Sequence, residues 1–482
     1  MPTLSNDNIR LAVLGAGISG LAAAYHFHEL SPKSTVEVWD KLNRTGGVLT
    51  TLHRNGYQIE QSADNFITTV PWGVELCRKL GLADKLVQTN PEVRRTYVVR
   101  RGNLHLLPDG FLMMAPTKMW PLALTPILSP WGKLRAAMEC FIPPYRGDDD
   151  ETMAQFVKRR LGREVFERLV EPLVSGVYAA DMEKLSVLAT LPRFREMEKN
   201  HGSLIRAMRA QMKSSRQVRD QAKESGARYS MFVTLKQGLS QMTDTLAARL
   251  PSGSVQLNRE AVRLEESYDN NVKKWRLTDQ HNNQYVYDAV IFALPSYETA
   301  RLLRPIHCRL GELLGKIEHS GTAIATFAFS KDQMRKKIRG MGFVVPKIEN
   351  SPLLAGSFSS LKYRHRAPED KLLIRIFAGG ARAPEMAEIP DSELLPVLKR
   401  EMNRVLHIQG EPELEVVAHW PRTMPQYHVG HLQRVEEIEL LTETISGIGI
   451  AGNAFHGVGI PNCARSGQLA AENVLNKIKC FE

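Results

Sequence analysis

The sequence predicts an α/β fold, because strand-like and helix-like patterns alternate near both ends of the chain. Residues Ile9–Leu14 form a short apolar run, an Ala-rich helical pattern continues to about Leu30, and a second strand pattern covers Ser34–Asp40. The end of the chain has a similar order, with an apolar run at Gly447–Gly452 and a helical pattern at Ala464–Ile478. Short apolar runs beside helices are typical of a parallel sheet. We therefore predict a Rossmann-like domain built from discontinuous parts of the chain.

The stretches between these two ends predict two further lobes. Residues from about 75 to 225 have mostly helical patterns, whereas strand patterns dominate 254–294 and 321–420. A chain of 482 residues also exceeds the size of one ordinary core. We therefore predict a nucleotide-binding domain from residues 1–75, 228–300 and 421–482, an inserted helical domain from 76–227, and a mixed-sheet substrate-binding domain from 301–420.

Composition favours a cytoplasmic protein with an anionic partner. The formal net charge of +11 fits a nucleic acid, an anionic membrane or an anionic substrate. The basic segment 193–228 has few aromatic residues and no nucleic-acid motif, so it fits a solvated helical face or attraction to an anionic lipid or acid. We expect no nucleic-acid partner. The five cysteines are scattered and the first residues have no apolar signal core, which predicts a reducing compartment and no disulfide framework or metal site.

A glycine-rich turn follows the first strand and opens the first helix. Gly15, Gly17 and Gly20 form a G-x-G-x-x-G pattern. The first glycine permits a tight turn, the second lets the backbone approach a pyrophosphate, and the third lets helix and strand pack closely. Asp40 ends the next strand, where a carboxylate accepts a ribose hydroxyl and repels the 2′-phosphate of NADP. The turn therefore predicts a dinucleotide site.

Further glycines distinguish FAD from NAD. Arg44, Gly46 and Gly47 follow the acidic residue closely, and a glycine pair there suits a backbone pressed against a bulky, extended cofactor. Near the other end, Asn453 and Gly457–Pro461 precede the last helix. The positive end of that helix favours an anionic reduced flavin by about 0.3–2 kcal/mol. We therefore expect FAD, with an ordinary loop and a plain C-terminal helix as the alternative interpretations.

Longer motifs run along nearly the whole chain. They are VLGAGISGLAAAYH, DKLNRTGG, GYQIEQSADNF, TYVVRRGNLHLLP, SGVYAADMEKLSV, IFALPSYETARLL, MPQYHVGHLQRV and GNAFHGVGIPNCARSGQ. The glycine motifs are shared by a wide superfamily, whereas LHLLP, GVYAAD and GVGIPNC are much more specific. Through these motifs the chain resembles the bacterial protoporphyrinogen oxidase/coproporphyrinogen III oxidase family, within the amine-oxidase-like flavoproteins.

This resemblance implies an activity and a set of site residues. It implies non-covalent FAD, oxidation of a porphyrinogen to a porphyrin with O2 as acceptor in haem biosynthesis, and a helical lobe linked with membrane attachment. It leaves room for a ferrochelatase-type pathway partner and for either a monomer or a homodimer. The implied FAD contacts are Gly15, Gly17, Gly20, Asp40, Gly46, Gly47, Val262, Ala293, Asn453 and Val458. The implied substrate positions are Thr96, Ala180, Val344, Ser357 and Phe377.

Some substrate positions depart from the family pattern. Many protoporphyrinogen-specific members have Arg at the position of Thr96, so the neighbouring Arg95 or Arg94 is expected to contact a substrate propionate. A motif that usually reads Tyr-Ala-Gly-Asp has Ala180 in place of Gly, and Ser357 stands where the plant enzymes often have Leu. The Thr-Tyr and LHLLPDG patterns favour coproporphyrinogen III over protoporphyrinogen IX. Its four carboxylates suit a group of nearby arginines, which are Arg94, Arg95, Arg100 and Arg101.

The expected chemistry requires few catalytic side chains. Hydride transfer from a porphyrinogen to flavin N5 is driven by substrate and cofactor, so the protein mainly positions the ring. Phe377 is expected to stack on the macrocycle or to be plain strand core, while His456 and Cys463 are expected to be a loop residue and a packing residue. The alternatives are another amine-oxidase-like flavoprotein, such as a carotenoid desaturase or amine oxidase, and a non-catalytic FAD-binding scaffold.

The apolar segment Phe111–Trp131 raises the question of a membrane contact. It contains Pro116, Pro121, Pro126 and Pro130, and interior prolines at about 3 kcal/mol each exclude a spanning helix. Trp120, Trp131 and flanking basic residues allow the segment to lie at a lipid interface. We therefore expect a cytoplasmic protein with peripheral membrane contact; the alternative is that this segment only covers the substrate channel.

Overall fold

The structure is a computed structural model that describes residues 8–116, 118–211 and 231–480. Residues 212–228 of the basic segment therefore lie outside the described residues. Numbered in chain order, the strands are β1 Arg10–Leu14, β2 Thr35–Trp39, β3 Thr51–Arg54, β4 Tyr57–Glu60, β5 Phe66–Ile67, β6 Leu86–Gln88, β7 Thr96–Arg100, β8 Asn103–Leu106, β9 Phe111–Leu112, β10 Ala115–Pro116, β11 Phe232–Leu235, β12 Val255–Gln256, β13 Ala261–Asp269, β14 Val272–Asp279, β15 Gln284–Tyr287, β16 Ala289–Phe292, β17 His319–Ser330, β18 Gly342–Val344, β19 Leu353–Phe358, β20 Lys371–Gly379, β21 Leu414–Pro425 and β22 Ile448–Ile450.

The helices alternate with these strands and also form a separate lobe. They are α1 Ile18–Leu30, α2 Trp72–Lys79, α3 Met119–Leu124, α4 Pro130–Ala137, α5 Met153–Leu161, α6 Arg163–Val165, α7 Glu171–Tyr178, α8 Val187–Thr190, α9 Pro192–His201, α10 204–211, α11 Ser240–Ala248, α12 Ser296–Leu303, α13 Cys308–Gly315, α14 Ser359–Lys362, α15 Asp391–Leu406, α16 His431–Glu443 and α17 Ile460–Cys480. A π-helical segment, Phe166–Val170, joins α6 to α7, and short 3-10 helices include Met138–Phe141.

A parallel sheet of five strands forms the first layer, in the order β12-β2-β1-β16-β22. Alternate residues of β1 enter different cores: Leu11 and Val13 pack with α1 and α17, whereas Ala12 and Leu14 pack with α12, α13 and α16. Helices cover both faces, as expected for strands with continuous apolar sequence. Because the strands come from both ends of the chain and from its middle, the predicted α/β fold with a discontinuous Rossmann-like unit is confirmed.

The second layer is a seven-stranded mixed sheet, in the order β21-β17-β20-β19-β18-β7-β8. Neighbouring strands are antiparallel except β18 and β7, which run parallel. One face packs on α15 through an apolar core, and the other face contributes Val98 and Val344 to the core of the helical lobe. Both β7 and β8 come from the stretch 76–227 assigned above to the helical domain. The exact domain bounds therefore stay a prediction.

The helical lobe is fastened by a buried ion-pair network. The Arg160 guanidinium pairs with the carboxylate of Glu139, and both side chains are 0% exposed. Arg160 Nη1 also lies 3.4 Å from an oxygen of Glu198, which is 1% exposed. This network ties α5 to α9 and to the 3-10 helix Met138–Phe141. No helix within the described ranges is both long enough and apolar enough to cross a membrane.

Replacement of Arg160 should therefore lower the stability of this lobe. Arg160→Met leaves the buried Glu139 carboxylate without its main partner, which should lower the free energy of unfolding by about 3–5 kcal/mol. Urea denaturation followed by circular dichroism measures this loss. Arg163→Met is a matched control, because the Arg163 side chain is 82% exposed and its loss should leave the midpoint unchanged. Equal midpoints for the two variants would contradict the assigned role of the buried pair.

Candidate active site

The glycine turn lies at the carboxyl end of β1 and makes close backbone contacts. Gly15 has φ +104°, and a Cβ there would lie 2.6 Å from the carbonyl oxygen of Ala293. A Cβ at Gly20 would lie 1.8 Å from the Gly15 carbonyl oxygen. Neither position can accept a side chain without displacing the backbone, whereas a Cβ at Gly17 meets no atom within 4 Å. The space in front of Gly17 is therefore open.

The loop that contains Gly46 and Gly47 packs directly against this turn. The Gly46 N–H donates to the Ala16 carbonyl at 2.8 Å, and a Cβ at Gly47 would lie 3.2 Å from the Gly17 Cα. Both glycines have positive φ, +94° and +58°, which side chains disfavour. Arg44 Nη1 donates to the Gly47 carbonyl at 2.8 Å. The structure thus brings these predicted cofactor residues together.

Asp40 lies beside the same turn, at the end of β2. One carboxylate oxygen accepts the Ala16 N–H at 2.7 Å, and the other accepts the Leu42 N–H at 2.8 Å. Each carboxylate oxygen can accept a second hydrogen bond, so Asp40 can still accept a hydrogen bond from a hydroxyl group. Burial lowers the pKa of the nearby Arg44 guanidinium, although the charge of Asp40 opposes this shift.

The C-terminal loop reaches the turn from the opposite edge of the sheet. The Ala451 N–H donates to the Phe292 carbonyl at 2.8 Å, which places Asn453 beyond the carboxyl end of β22. Tyr427 orients this loop, because its hydroxyl donates to the Asn453 carbonyl at 2.5 Å and accepts the Gly457 N–H at 2.9 Å. Burial raises the pKa of the Tyr427 phenol above its usual value, so it remains neutral.

Two predicted cofactor residues, Ala293 and Val262, lie in or directly after strands of two different sheets. Ala293 follows β16, and its N–H donates to the Leu14 carbonyl at 2.8 Å. Val262 lies in β13 and is 37% exposed, close to Arg259, whose N–H donates to the Asp40 carbonyl at 2.8 Å. Apart from Val262, the predicted cofactor residues discussed so far therefore lie near the carboxyl edge of the parallel sheet, where open α/β sheets bind their ligands.

The arrangement fits an extended dinucleotide cofactor. Gly17, Asp40, Gly47, Ala293 and Asn453 are all half-buried, although the strands that they follow are almost fully buried. Together with the open space in front of Gly17, they outline the position that we call the cofactor gap. A cofactor there would have its phosphates at the N-terminus of α1, where the helix N–H groups and the helix dipole favour anions.

The predicted substrate residues meet on one face of the seven-stranded sheet. In one row of directly paired residues, Thr96 lies opposite Gly342, Gly342 opposite Ser357, and Ser357 opposite Arg375. The next row on the same face is Val98, Val344, Ala355, Phe377 and Ile324. Because side chains two residues apart share a face, the register brings Thr96, Val344, Ser357 and Phe377 together.

This face is close to the C-terminal loop. Val344 and Ala180 belong to one apolar cluster with Tyr427, and Val458 packs against that cluster. The Gly176 position in α7 lies above the same row, because a Cβ there would be 3.7 Å from Val344 Cγ1. Thr96, Ser357 and Phe377 are half-buried although they lie within a sheet, and we call the side of the sheet that they share the chamber face. The arginines Arg94 and Arg95 are exposed.

A buried ionic cluster adjoins this face, which we call the Asp64 cluster; it consists of Glu60, Asp64, Lys362, Arg366 and Arg375. Lys362 Nζ lies 3.2 and 3.3 Å from the two Asp64 oxygens, and Arg366 Nη1 donates to Asp64 at 3.2 Å. Arg375 donates to the Ser62 carbonyl. Burial alone would raise the pKa of the Asp64 carboxyl, but the three surrounding cations hold it well below its usual range.

The sequence analysis did not identify Arg375 or Tyr427. A charged residue within the apolar strand sequence LLIRIFAG was the available signal for Arg375. The interpretation of His456 as a loop residue and of Cys463 as a packing residue stays a prediction. The His456 side chain is 58% exposed, and its Nε2 lies 2.6 Å from a carboxylate oxygen of Glu439. Cys463 is buried, and this burial raises the pKa of its thiol to about 12.

Gly17 offers a direct test of cofactor binding. Gly17→Val should fold normally, because a Cβ meets no neighbour, yet its side chain fills the space for the pyrophosphate and should abolish FAD binding. Gly20→Val should instead destabilise the fold, because its Cβ would overlap the Gly15 carbonyl. Flavin absorbance of the purified proteins and their melting temperatures separate the two effects. A yellow Gly17→Val protein with a full complement of FAD would contradict this site.

Comparison with known proteins assigns the chain to a family. Residues 18–475 match the family described as flavin containing amine oxidoreductase. The chain is 31% identical over 477 residues to coproporphyrinogen III oxidase of Bacillus subtilis (strain 168), covering 98% of this chain and 99% of that protein. It is 28% identical to the chloroplastic protoporphyrinogen oxidase of Nicotiana tabacum over 479 residues, covering 96% and 84%.

Solved structures give the same assignment. A crystal structure from Exiguobacterium sp. 255-15, of a protein named as a candidate protoporphyrinogen oxidase, matches with a TM-score of 0.85 and 26% identity over 98% of this chain and 99% of that one. The family match begins at the start of α1 and extends into the last helix. The chain therefore belongs to the flavin-containing amine oxidoreductase family and is an FAD-dependent flavoprotein.

Proposed function

We propose that the protein is an oxygen-dependent oxidase that converts a porphyrinogen to the porphyrin in haem biosynthesis, with coproporphyrinogen III as the preferred substrate. The observation that carries the proposal is the sheet register, which collects Thr96, Val344, Ser357 and Phe377 on one chamber face beside the C-terminal loop. Curated relatives that match over nearly their whole length bear the names of porphyrinogen oxidases.

The reaction removes six hydrogens from the macrocycle in three two-electron steps, each of which reduces one O2 to hydrogen peroxide. Bound FAD supplies the hydride acceptor for each step. The polypeptide positions the porphyrinogen and excludes water from the site. Val344 and Ala180 form apolar walls, and Phe377 offers a ring face for stacking on the macrocycle. None of the five proposed chamber residues is an acid or a base, so the proton that leaves the macrocycle with each hydride passes to solvent, and a proton is taken up again when O2 is reduced to hydrogen peroxide.

The cofactor contacts in this proposal follow the carboxyl edge of the parallel sheet. Gly15, Gly17 and Gly20 shape the pyrophosphate turn, Asp40 accepts a ribose hydroxyl, and the loop of Arg44, Gly46 and Gly47 covers the turn. Val262 lies toward the adenosine end, while Ala293, Asn453 and Val458 lie toward the flavin ring. Arg95 is exposed and adjacent in sequence to Thr96, and its expected contact with a substrate propionate stays a prediction. Contact with a ferrochelatase-type partner remains a prediction.

Turnover of purified holoenzyme tests the proposal. With coproporphyrinogen III and O2, porphyrin fluorescence should appear together with peroxide in the ratio one to three. Under anaerobic mixing, the yellow flavin should bleach, whereas a non-catalytic scaffold would remain yellow. Protoporphyrinogen IX should react with a lower kcat/KM. Absence of porphyrin formation from both substrates, with FAD bound, would overturn the proposal.

We also propose that the helical lobe rests on an anionic membrane surface. The apolar side chains of α3, α4 and the adjoining 3-10 helix project outward; Trp120 is 78%, Trp131 79% and Phe141 82% exposed. Leu124, Leu134 and Met138 are also exposed. Such exposure is unexpected for a segment that only covers a channel. Indole rings and nearby Lys118 and Lys133 suit the boundary between lipid headgroups and acyl chains.

Vesicle flotation tests this contact. The wild type should float with vesicles that contain anionic phosphatidylglycerol and bind them less tightly at high salt, because surface charge attraction is screened. Trp120→Ser combined with Trp131→Ser should reduce the bound fraction at least about fivefold without loss of FAD, since about 1.5–3 kcal/mol is expected for burial of each large apolar side chain. Tyr268→Ser, a change at another exposed aromatic (66% exposed), is the control. Equal binding by both variants would refute the proposed surface.

A further inference from the structure

The row of residues that contains Thr96, Gly342 and Ser357 also contains a positively charged residue, Arg375. Thr96, at one end of the row, stands where many protoporphyrinogen-specific relatives are expected to have Arg. Arg375 lies in the same row and on the same face, directly opposite Ser357. Three strand spacings separate it from Thr96, about 14 Å. The chamber face therefore retains a guanidinium, but on β20 instead of β7.

The exposed arginines are poorly placed for this task. Arg94 and Arg95 precede β7 and are exposed, and Arg95 is adjacent in sequence to Thr96, so strand alternation turns it away from the face that Thr96 occupies. Arg101 is also exposed. In contrast, the Arg375 side chain is 1% exposed and its guanidinium lies 5.1 Å from the ring centroid of Phe377, the residue proposed to stack on the substrate.

The Asp64 cluster around Arg375 has a surplus of positive charge and of donors. Three cations, Lys362, Arg366 and Arg375, face two carboxylates, Glu60 and Asp64. The buried Nε atoms of Arg366 and Arg375 and the buried Oγ of Ser62 have no hydrogen-bond partner. Glu60 is engaged by Thr51 and by the Leu239 N–H. Buried donors without acceptors cost free energy, and a further anion beside the cluster would satisfy them.

We propose that the Asp64 cluster is a carboxylate subsite of the chamber, in which Arg375 and Lys362 bind one carboxylate side chain of the substrate. Lys362 retains 14% and Asp64 12% exposure, whereas Arg366 and Arg375 retain 0% and 1%, so Lys362 is the most accessible cation of the cluster. Ser357 lies between Arg375 and Gly342 in the row, and its hydroxyl donates to the Met341 carbonyl at 3.5 Å. The subsite rests on the proposed function for the identity of the substrate, but its anion preference rests on the cluster alone.

Binding of coproporphyrin III, the product of the proposed reaction, to FAD-loaded protein tests this subsite. Arg375→Met should weaken binding of coproporphyrin III by about ten- to one-hundredfold, as expected for one charge-assisted contact. The tetramethyl ester of coproporphyrin III has no free carboxylate, so its affinities for the wild type and for the variant should agree within about twofold. In turnover, KM for coproporphyrinogen III should rise while kcat stays within about twofold, since the contact acts on binding and not on the reacting atoms.

Two further variants test whether the loss of binding is specific to the proposed subsite. Lys362→Met should also weaken coproporphyrin III binding selectively, and Arg364→Met is the matched control, because Arg364 is 70% exposed and pairs with Glu92 on the surface. If Arg375→Met fails to retain FAD, Arg375→Lys replaces it and should show a smaller selective loss. Equal losses for porphyrin and ester, or loss of FAD in both Arg375 variants, would overturn the subsite. Wild type that binds carboxylates selectively without turnover would refute only the proposed function.

Discussion

The glycine turn after β1 is built on backbone contacts that leave no room for side chains. Gly15 faces the Ala293 carbonyl, Gly20 faces the Gly15 carbonyl, and Gly47 lies against the Gly17 Cα. These three contacts join segments from the beginning and the middle of the chain, and they fix the start of α1. Only because these positions are closed can the position before Gly17 remain open. The same constraint thus supports the sheet and creates the space for the cofactor.

The segment between β4 and β5 connects this cofactor edge to the chamber. Trp420 Nε1 donates to the Gln61 carbonyl at 2.6 Å, and Arg366 Nη2 donates to the Asp64 carbonyl at 2.6 Å. Both donors belong to the seven-stranded layer or to the loops that follow its strands. The segment is therefore held by fixed charges and dipoles instead of apolar packing. These two hydrogen bonds attach the segment to the seven-stranded layer and its loops.

Local sequence was sufficient for the cofactor half of the site and insufficient for much of the chamber. The turn at Gly15–Gly20 and the acid at Asp40 are set by short-range spacing, which is visible in the sequence. The chamber rows depend on pairing between β7 and β18, more than 200 residues apart in sequence, and a register shift of one residue would reverse every side chain. Resemblance supplied positions such as Ser357, but it could not place Arg375 opposite it. The outward orientation of Trp120 also depends on tertiary packing.

The sheet order has a consequence for biosynthesis of the protein. The edge strand β22 pairs with β16, and the loop held by Tyr427 follows it, so the cofactor site needs segments that are more than 400 residues apart in sequence. Pairings this distant in sequence form late in folding. During synthesis, β1, β2 and the glycine turn therefore emerge before the segment that completes the site. Chains cut short before β22 would have no way to retain the pigment.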